Sequence, residues 1–304
     1  MQTLTPCGGD DLPQLTAAIA LGGWVHLSAG TFKPSAAVPV NNPVMLTGEG
    51  IGSTFILSPS SASDVFDINC LDAVKFSDFT IQYAAPGTAG TQAIKLCCPN
   101  TPPYGQYGNS SSVFRDLRIE NAYIAINIFE GAYYIIENLK SINHAYVGIW
   151  TQNINWADAG DSIIANCTIL GASGALAGIV WQGGGAISII NNKVLTHQYG
   201  MIALMQAGAQ TRQMQITGNS FDGANVAAVS FWPLGAGTFG GVIIANNIFN
   251  LAHRGISAPT PPSGKWINSM IDLGNNWYPD GVAGAVYSDF SAVTTPVSVN
   301  NVNY

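Results

Sequence analysis

Apolar and polar positions along the chain sustain a helical period only once. Over residues 11–21, Leu12, Leu15 and Ile19 fall on one face, and Gly22-Gly23 ends the run. Asp11 is placed to cap this helix, and Gln14, three residues on, completes a capping box. The preceding "GGDD" has the look of a catalytic acidic pair, and a helix cap accounts for it. Beyond the helix the pattern changes to short apolar runs parted by Gly, Asn and Pro, such as "WVHL", "VMLTG", "TFIL" and "VKFSDFTI". β-Branched residues dominate them, so they read as strands.

One phrase then recurs: "IIANCTI" (163–169), "IINNKVL" (189–195), "QITGNSF" (215–221), "IIANNIF" (243–249) and "IDLGNNWY" (271–278). Aligned on the polar residue two before a buried apolar one, the repeats centre on Asp78, Asp116, Asn138, Cys167, Asn192, Asn219, Asn247 and Asn276. The spacings are 38, 22, 29, 25, 27, 28 and 29 residues, the first spanning a Pro- and Gly-rich insertion at 97–112 that reads as a protruding loop. A loose period in the twenties with three short strands per repeat predicts an all-β parallel solenoid, one domain, with residues 1–60 as its cap and first strands and 61–304 as its coils. Equivalent residues of stacked coils lie about 4.8 Å apart. The recurring Asn is expected at a tight corner, bonding neighbouring backbone and tolerating left-handed geometry, with Cys167 filling one rung as a small buried residue.

The opening "DDLPQLTAAIALGGWVHLSAGTF…VMLTGEGIGSTFIL", taken with the repeat phrase, resembles the pectate-lyase-like family of right-handed parallel β-helix proteins. The matching positions are Asp11, Ala18, Ile19, Val25, Leu27, Gly30, Phe32, Leu46, Gly48, Gly50 and Thr54. Within the family the chain is most similar to phage tail spikes and related glycan-processing appendages. That resemblance implies a right-handed parallel β-helix with a short N-terminal capping helix, and a homotrimer that binds or cuts bacterial surface polysaccharide on a virion or outside the cell. The polygalacturonase-type "NTD", "GHG" and "RIK" set and the pectate-lyase calcium cluster have no counterpart here. No catalytic residue is therefore carried over, and no metal or cofactor is expected; one fold hosts many chemistries.

Composition sharpens this picture. Of 304 residues 47% are hydrophobic and only 9% charged, so much of the outer surface is expected to be covered by other subunits. A net charge of −7 without a basic cluster argues against nucleic acid, and no apolar run reaches the length of a membrane helix. The N-terminus has neither a basic n-region nor an apolar h-region. Five cysteines without zinc-finger spacing (Cys7, Cys70, Cys97, Cys98, Cys167) read as reduced, mostly buried thiols; "NCT" at Asn166 falls on the ladder and reads as an unused glycosylation sequon.

Site residues must come from placement on the coils. Counted from the ladder, His144, His197 and His253 fall in one corner, with Asp222 and Arg254 near them. His and Asp at coil spacing can handle protons in glycoside cleavage; corner residues are also polar simply where they face water or a neighbouring subunit. The opposite edge carries Trp150 and Gln152, Trp181 and Gln182, Gln206, and Trp232: aromatic platforms for sugar rings and amides for their hydroxyls, or side chains buried at a trimer seam. Just beyond lie Asp158 and Asp161, which suit an acid and a base or nucleophile, and Arg212, which suits an acidic sugar. The expected catalytic set is thus Asp158, Asp161, Asp222, His197 and Arg212, and the expected binding set Trp150, Trp181, Trp232, Gln152, Gln182, Gln206 and His253. Glu130, between apolar flanks, is a further carboxylate.

Overall fold

A computed structural model describes residues 1–97, 111–152, 161–183, 185–205, 210–211, 213–233, 238–259 and 267–303. Every strand pairing in it is parallel, and each coil lays one strand on each of three walls. Sheet 1 stacks Phe66–Asn69, Gln92–Cys97, Ile124–Phe129, Val147–Gln152, Ala177–Gln182, the second halves of Lys193–Met205 and Ser220–Pro233, Arg254–Ser257 and Val286–Asp289. Sheet 2 stacks Ile135–Glu137, Asp161–Ala165, Ala186–Ile190, Gln213–Thr217, Thr238–Ala245, Ile267–Leu273 and Val293–Val299. Sheet 3 stacks Lys140–His144, Thr168–Gly171, the first halves of the two long strands, Ile248–Ala252 and Asn276–Pro279.

Alternation along each strand sends every second side chain into the tube. In sheet 2, Ile136, Ile164, Ile189, Ile216 and Ile244 form one inward column, each 0% exposed. Burying each such side chain is worth about 2–3 kcal/mol, so the stacked column is what a single coil cannot supply alone. At the N-terminal end the helix Leu12–Ala20 turns Leu15, Ala18 and Ile19 onto the first coils.

From Asp78 onward the corner from sheet 2 to sheet 3 is two residues long, and the two have separate tasks. The first is left-handed: Asp78, Asp116, Asn138, Asn166, Asn191, Gly218, Asn246, Gly274 and Asn300 all have positive φ. The second points inward, and from Cys167 onward it forms a hydrogen-bonded ladder. The backbone N–H of Cys167 donates to Asn192 Oδ1 (2.9 Å), that of Asn192 to Asn219 (2.9 Å), that of Asn219 to Asn247 (2.9 Å), and that of Asn247 to Asn275 (2.8 Å). Earlier coils hold Leu117 and Leu139 at the inward position. The sequence alignment merged these neighbouring rows: Asp78, Asp116 and Asn138 belong to the outer one, and the rung assigned to Asn276 belongs to Asn275. Asn166 is likewise on the outer row and exposed, not buried as its sequon reading required.

Two other expectations are corrected. Asp11 makes no side-chain cap to the helix. Its carboxylate instead accepts from the backbone of Cys7 (2.8 Å) and Lys33 (2.7 Å), while Asp10 accepts from the N–H of Leu12 (2.9 Å). Cys70 is disulfide-bonded, so the thiols are not all reduced; Cys7, Cys97 and Cys167 are free.

Candidate functional site

The outward face of sheet 1 carries an apolar cluster separate from the core. Ile124, Val147, Ala177, Val180 and Ile202 are its buried members, packed against Tyr123, Tyr146, Trp150, Leu176, Tyr199, Leu204 and Trp232. Register explains the arrangement. Trp150, Val180 and Ile202 occupy one outward column on successive coils, and Gln152, Gln182, Leu204 and Trp232 occupy the next. Val180 and Ile202 point outward yet are only 2% and 1% exposed, because larger side chains on neighbouring positions cover them.

The aromatic rings form two groups. Tyr123 and Tyr146 stack with centroids 5.0 Å apart and planes within 7°, and Trp150 lies 6.0 Å from Tyr146. Three coils from Trp150, Trp232 meets Tyr199 edge-on at 5.1 Å, its indole N–H donating to Ser230 Oγ at 2.8 Å. Burial raises the phenol pKa of Tyr146, with Tyr123 adding to it, and also raises that of Tyr199, where Arg254 pulls the other way. Toward the N-terminal coils the face becomes polar. Gln152 donates to Asn127 (2.9 Å), and Asn127 to Gln92 (3.2 Å), making an amide chain across three coils. Lys95, in the column of Asn127 and Trp150, lies between Asp64 (3.7 Å) and Asp67 (3.5 Å). A partly open aromatic surface running into an amide row offers ring faces and hydroxyl partners side by side, the combination a polyhydroxylated chain requires.

Trp150, Gln152 and Trp232 therefore lie on this face, and Gln182 lies on it at 8% exposure. Trp181 does not. It is 1% exposed, points into the tube and packs against Phe239 at 6.0 Å, so it has no face to offer a sugar.

The histidines separate as well. At the corner from sheet 3 to sheet 1, the residue after a left-handed position turns inward: His144 follows Asn143, and His197 follows Thr196. Their imidazoles meet in the core at 2.8 Å between Nε2 atoms, and Ser141 Oγ lies 2.9 Å from His144 Nδ1. Burial pushes His144 down to about 3, and burial together with His144 pushes His197 down to about 2. Both rings are neutral at pH 7, and His197, 2% exposed, is a core residue and not a proton donor to bound sugar. His253 stands one residue beyond the inward position, is half-buried, and pairs with Asp280 at 3.3 Å.

The carboxylates are dispersed. Asp161 is exposed at the start of its strand on sheet 2, beside a shallow concavity of about 250 Å³ lined by Ser162, Ile163, Ser188, Gln213 and Gln215 among others. Asp222 is half-buried on sheet 3, between Leu195 and Asn250. Glu130 is buried at 4% exposure just past the end of a sheet 1 strand. Asp158, Gln206 and Arg212 lie outside the described residues. Among the described residues no three His, Cys, Asp or Glu side chains converge as a metal-holding group. No described helix is long and apolar enough to cross a membrane.

The tyrosines, Asn127 and Gln92 were missed from sequence, although a second repeated phrase marks the tyrosines. "NAYIAI", "HAYVGI" and "HQYGMI" each carry a Tyr two residues after the left-handed corner or one later.

The family model described as "Right handed beta helix region" matches residues 100–221. The fold is a right-handed parallel β-helix. No curated protein matches the sequence. Among solved structures, a tailspike protein of E. coli bacteriophage HK620 superposes with a TM-score of 0.68 at 15% identity, over 99% of this chain and 60% of that one. The Streptococcus pneumoniae surface protein and adhesin PfbA gives 0.65 at 14% identity, over 100% and 97%. The Azotobacter vinelandii mannuronan C-5 epimerase AlgE6 A-module gives 0.54 at 14% identity, over 97% and 96%. At such identities the likeness is one of fold.

Proposed function

We propose that this β-helix is a tail-spike-like or related extracellular appendage that binds a bacterial surface polysaccharide along the outward face of sheet 1 and cleaves its glycosidic bonds. The observation that carries the reading is the aromatic surface of Tyr146, Trp150, Tyr199 and Trp232 running into the amide chain of Gln152, Asn127 and Gln92. Stacked coils repeat at about 4.8 Å, so the face presents a regular track to a linear polymer. Cleavage is assigned to Asp158 and Asp161, six and nine residues after Gln152 in the chain, with Arg212 assisting. The assembly is a homotrimer. The neighbours' names support this reading: they include a tailspike, an adhesin and a polysaccharide epimerase.

A non-catalytic glycan-binding adhesin is the second reading. The placement of Asp161 and Asp222 on walls other than that of Trp150 and Trp232 favours it. Capsular and O-antigen polysaccharides incubated with the protein, with reducing ends and unsaturated-uronate absorbance followed together, distinguish the two. New ends that vanish in Asp158→Ala or Asp161→Ala support cleavage; retention of glycan without new ends makes the protein an adhesin. Loss of neither retention nor cleavage in Trp150→Ala and Trp232→Ala would remove the face from the account.

A further inference from the structure

Sheet 2 carries Lys75, Arg115, Glu137 and Asp161 on its N-terminal coils and loses its charges toward the C-terminal end. From Ala186, Ser188 and Ile190 to Thr295, Val297 and Val299, its three outward columns cross five coils without one Asp, Glu, Lys, Arg or His. At the C-terminal coils these columns become aliphatic, with Ile271 41%, Leu273 38%, Val297 44% and Val299 44% exposed. The two-residue ladder corner then turns the chain onto sheet 3, where Ile248 (43%) and Val302 (42%) share an outward column and are exposed too. One edge of the prism is therefore apolar on both flanks.

We infer that this edge is the seam between copies of the chain, the sheet 2 flank of one copy packing on the sheet 3 flank of the next. The occupant follows from charge. The chain carries a net −7, so copies meeting through charged walls bring like charges together, whereas the sheet 2 columns from Ala186 onward and the last sheet 3 rungs, Ile248, Asn276 and Val302, carry none to oppose. Exposed aliphatic side chains on a wall without charges gain by covering one another. Because the two flanks differ, the contact is heterologous, and with a rotation that closes after three copies it gives a ring instead of a two-fold pair. Sheet 1 is the wall away from this edge, so assembly leaves Trp150 and Trp232 open. The inference rests on the homotrimer of the proposed function and adds to it which surface is used.

Sedimentation of the full chain over a range of concentrations, with Leu273→Glu and Val299→Glu beside it and Leu21→Glu as a control, tests the seam. Leu21 is 76% exposed at the other end of the molecule. The expected result is a trimer for wild type and control, and at least a hundredfold weaker association for the two seam variants with unchanged melting. A wild-type oligomer that both variants preserve overturns the seam but leaves the trimer standing. A wild-type dimer overturns the ring, and a wild-type monomer overturns both seam and trimer. Glycan retention on the same samples reports separately on the sheet 1 face.

Discussion

His144 and His197 are 53 residues apart in the chain, yet their Nε2 atoms lie 2.8 Å from each other in the core. They meet because the coil between them has Gly171 at that position, where a Cβ would sit 2.7 Å from His197 Cδ2 and Nε2. Three consecutive coils thus cooperate in one buried contact.

Gly171→Ala is expected to lower stability by about 1–3 kcal/mol, since backbone and imidazole must move to admit one methyl group. Urea midpoints of the variant and wild type check this; equal midpoints would show that the rings have room to yield.

Acid should weaken the fold through the same pair. Both rings titrate in the native state far below the ordinary 6.5, at about 3 and about 2, so below pH 6.5 the unfolded chain binds more protons. Their contribution is whole above pH 6.5 and is lost progressively as pH falls toward 3, at about 1.4 kcal/mol per pH unit for each ring. Unfolding free energies from pH 7 to pH 4 should show this decline, and His197→Gln should reduce the slope by about one proton. An unaltered slope would mean that His197 does not contribute.

Asn219→Ala should cost about 2–4 kcal/mol, because it removes the acceptor of the Asn192 N–H and the amide that donates to the Ile189 carbonyl inside the tube. Thermal melting measures it, and the loss should exceed that of Asn246→Ala on the outer row.

On sheet 1, Trp232→Ala should weaken glycan retention about tenfold, roughly 1.4 kcal/mol. Trp181→Ala should leave retention per folded molecule intact while lowering stability by about 3–5 kcal/mol. Affinity electrophoresis beside melting curves separates the two effects; equal losses of retention would remove the distinction between face and core.

The solenoid was legible because apolar columns and corner residues recur at each coil, as "IIANCTI" and "IIANNIF" do. The facing of single residues near corners was not. A left-handed residue adds one step to the alternation, and at Thr196 and Leu251 that conformation falls on residue types that do not announce it. Hence His197 was expected outside and lies inside, while His253, placed in the same corner by count, stands outside. Trp181 misled for a related reason: next to Gln182 it read as part of an outward pair, but adjacent strand residues face opposite ways. Burial of large aromatics depends on neighbours two coils away, such as Phe239, which no local pattern reports.

The corners also divide the labour of change. From Asp78 onward the passage from sheet 2 to sheet 3 is two residues at each coil, whereas that from sheet 1 to sheet 2 runs from three residues after Gln182 to fifteen after Cys97. Insertions there leave the stacking rows in phase, and they arise at the rim of the aromatic track. A lineage can therefore exchange these segments one at a time, changing the rim of the proposed polysaccharide track while the trunk that carries it stays the same.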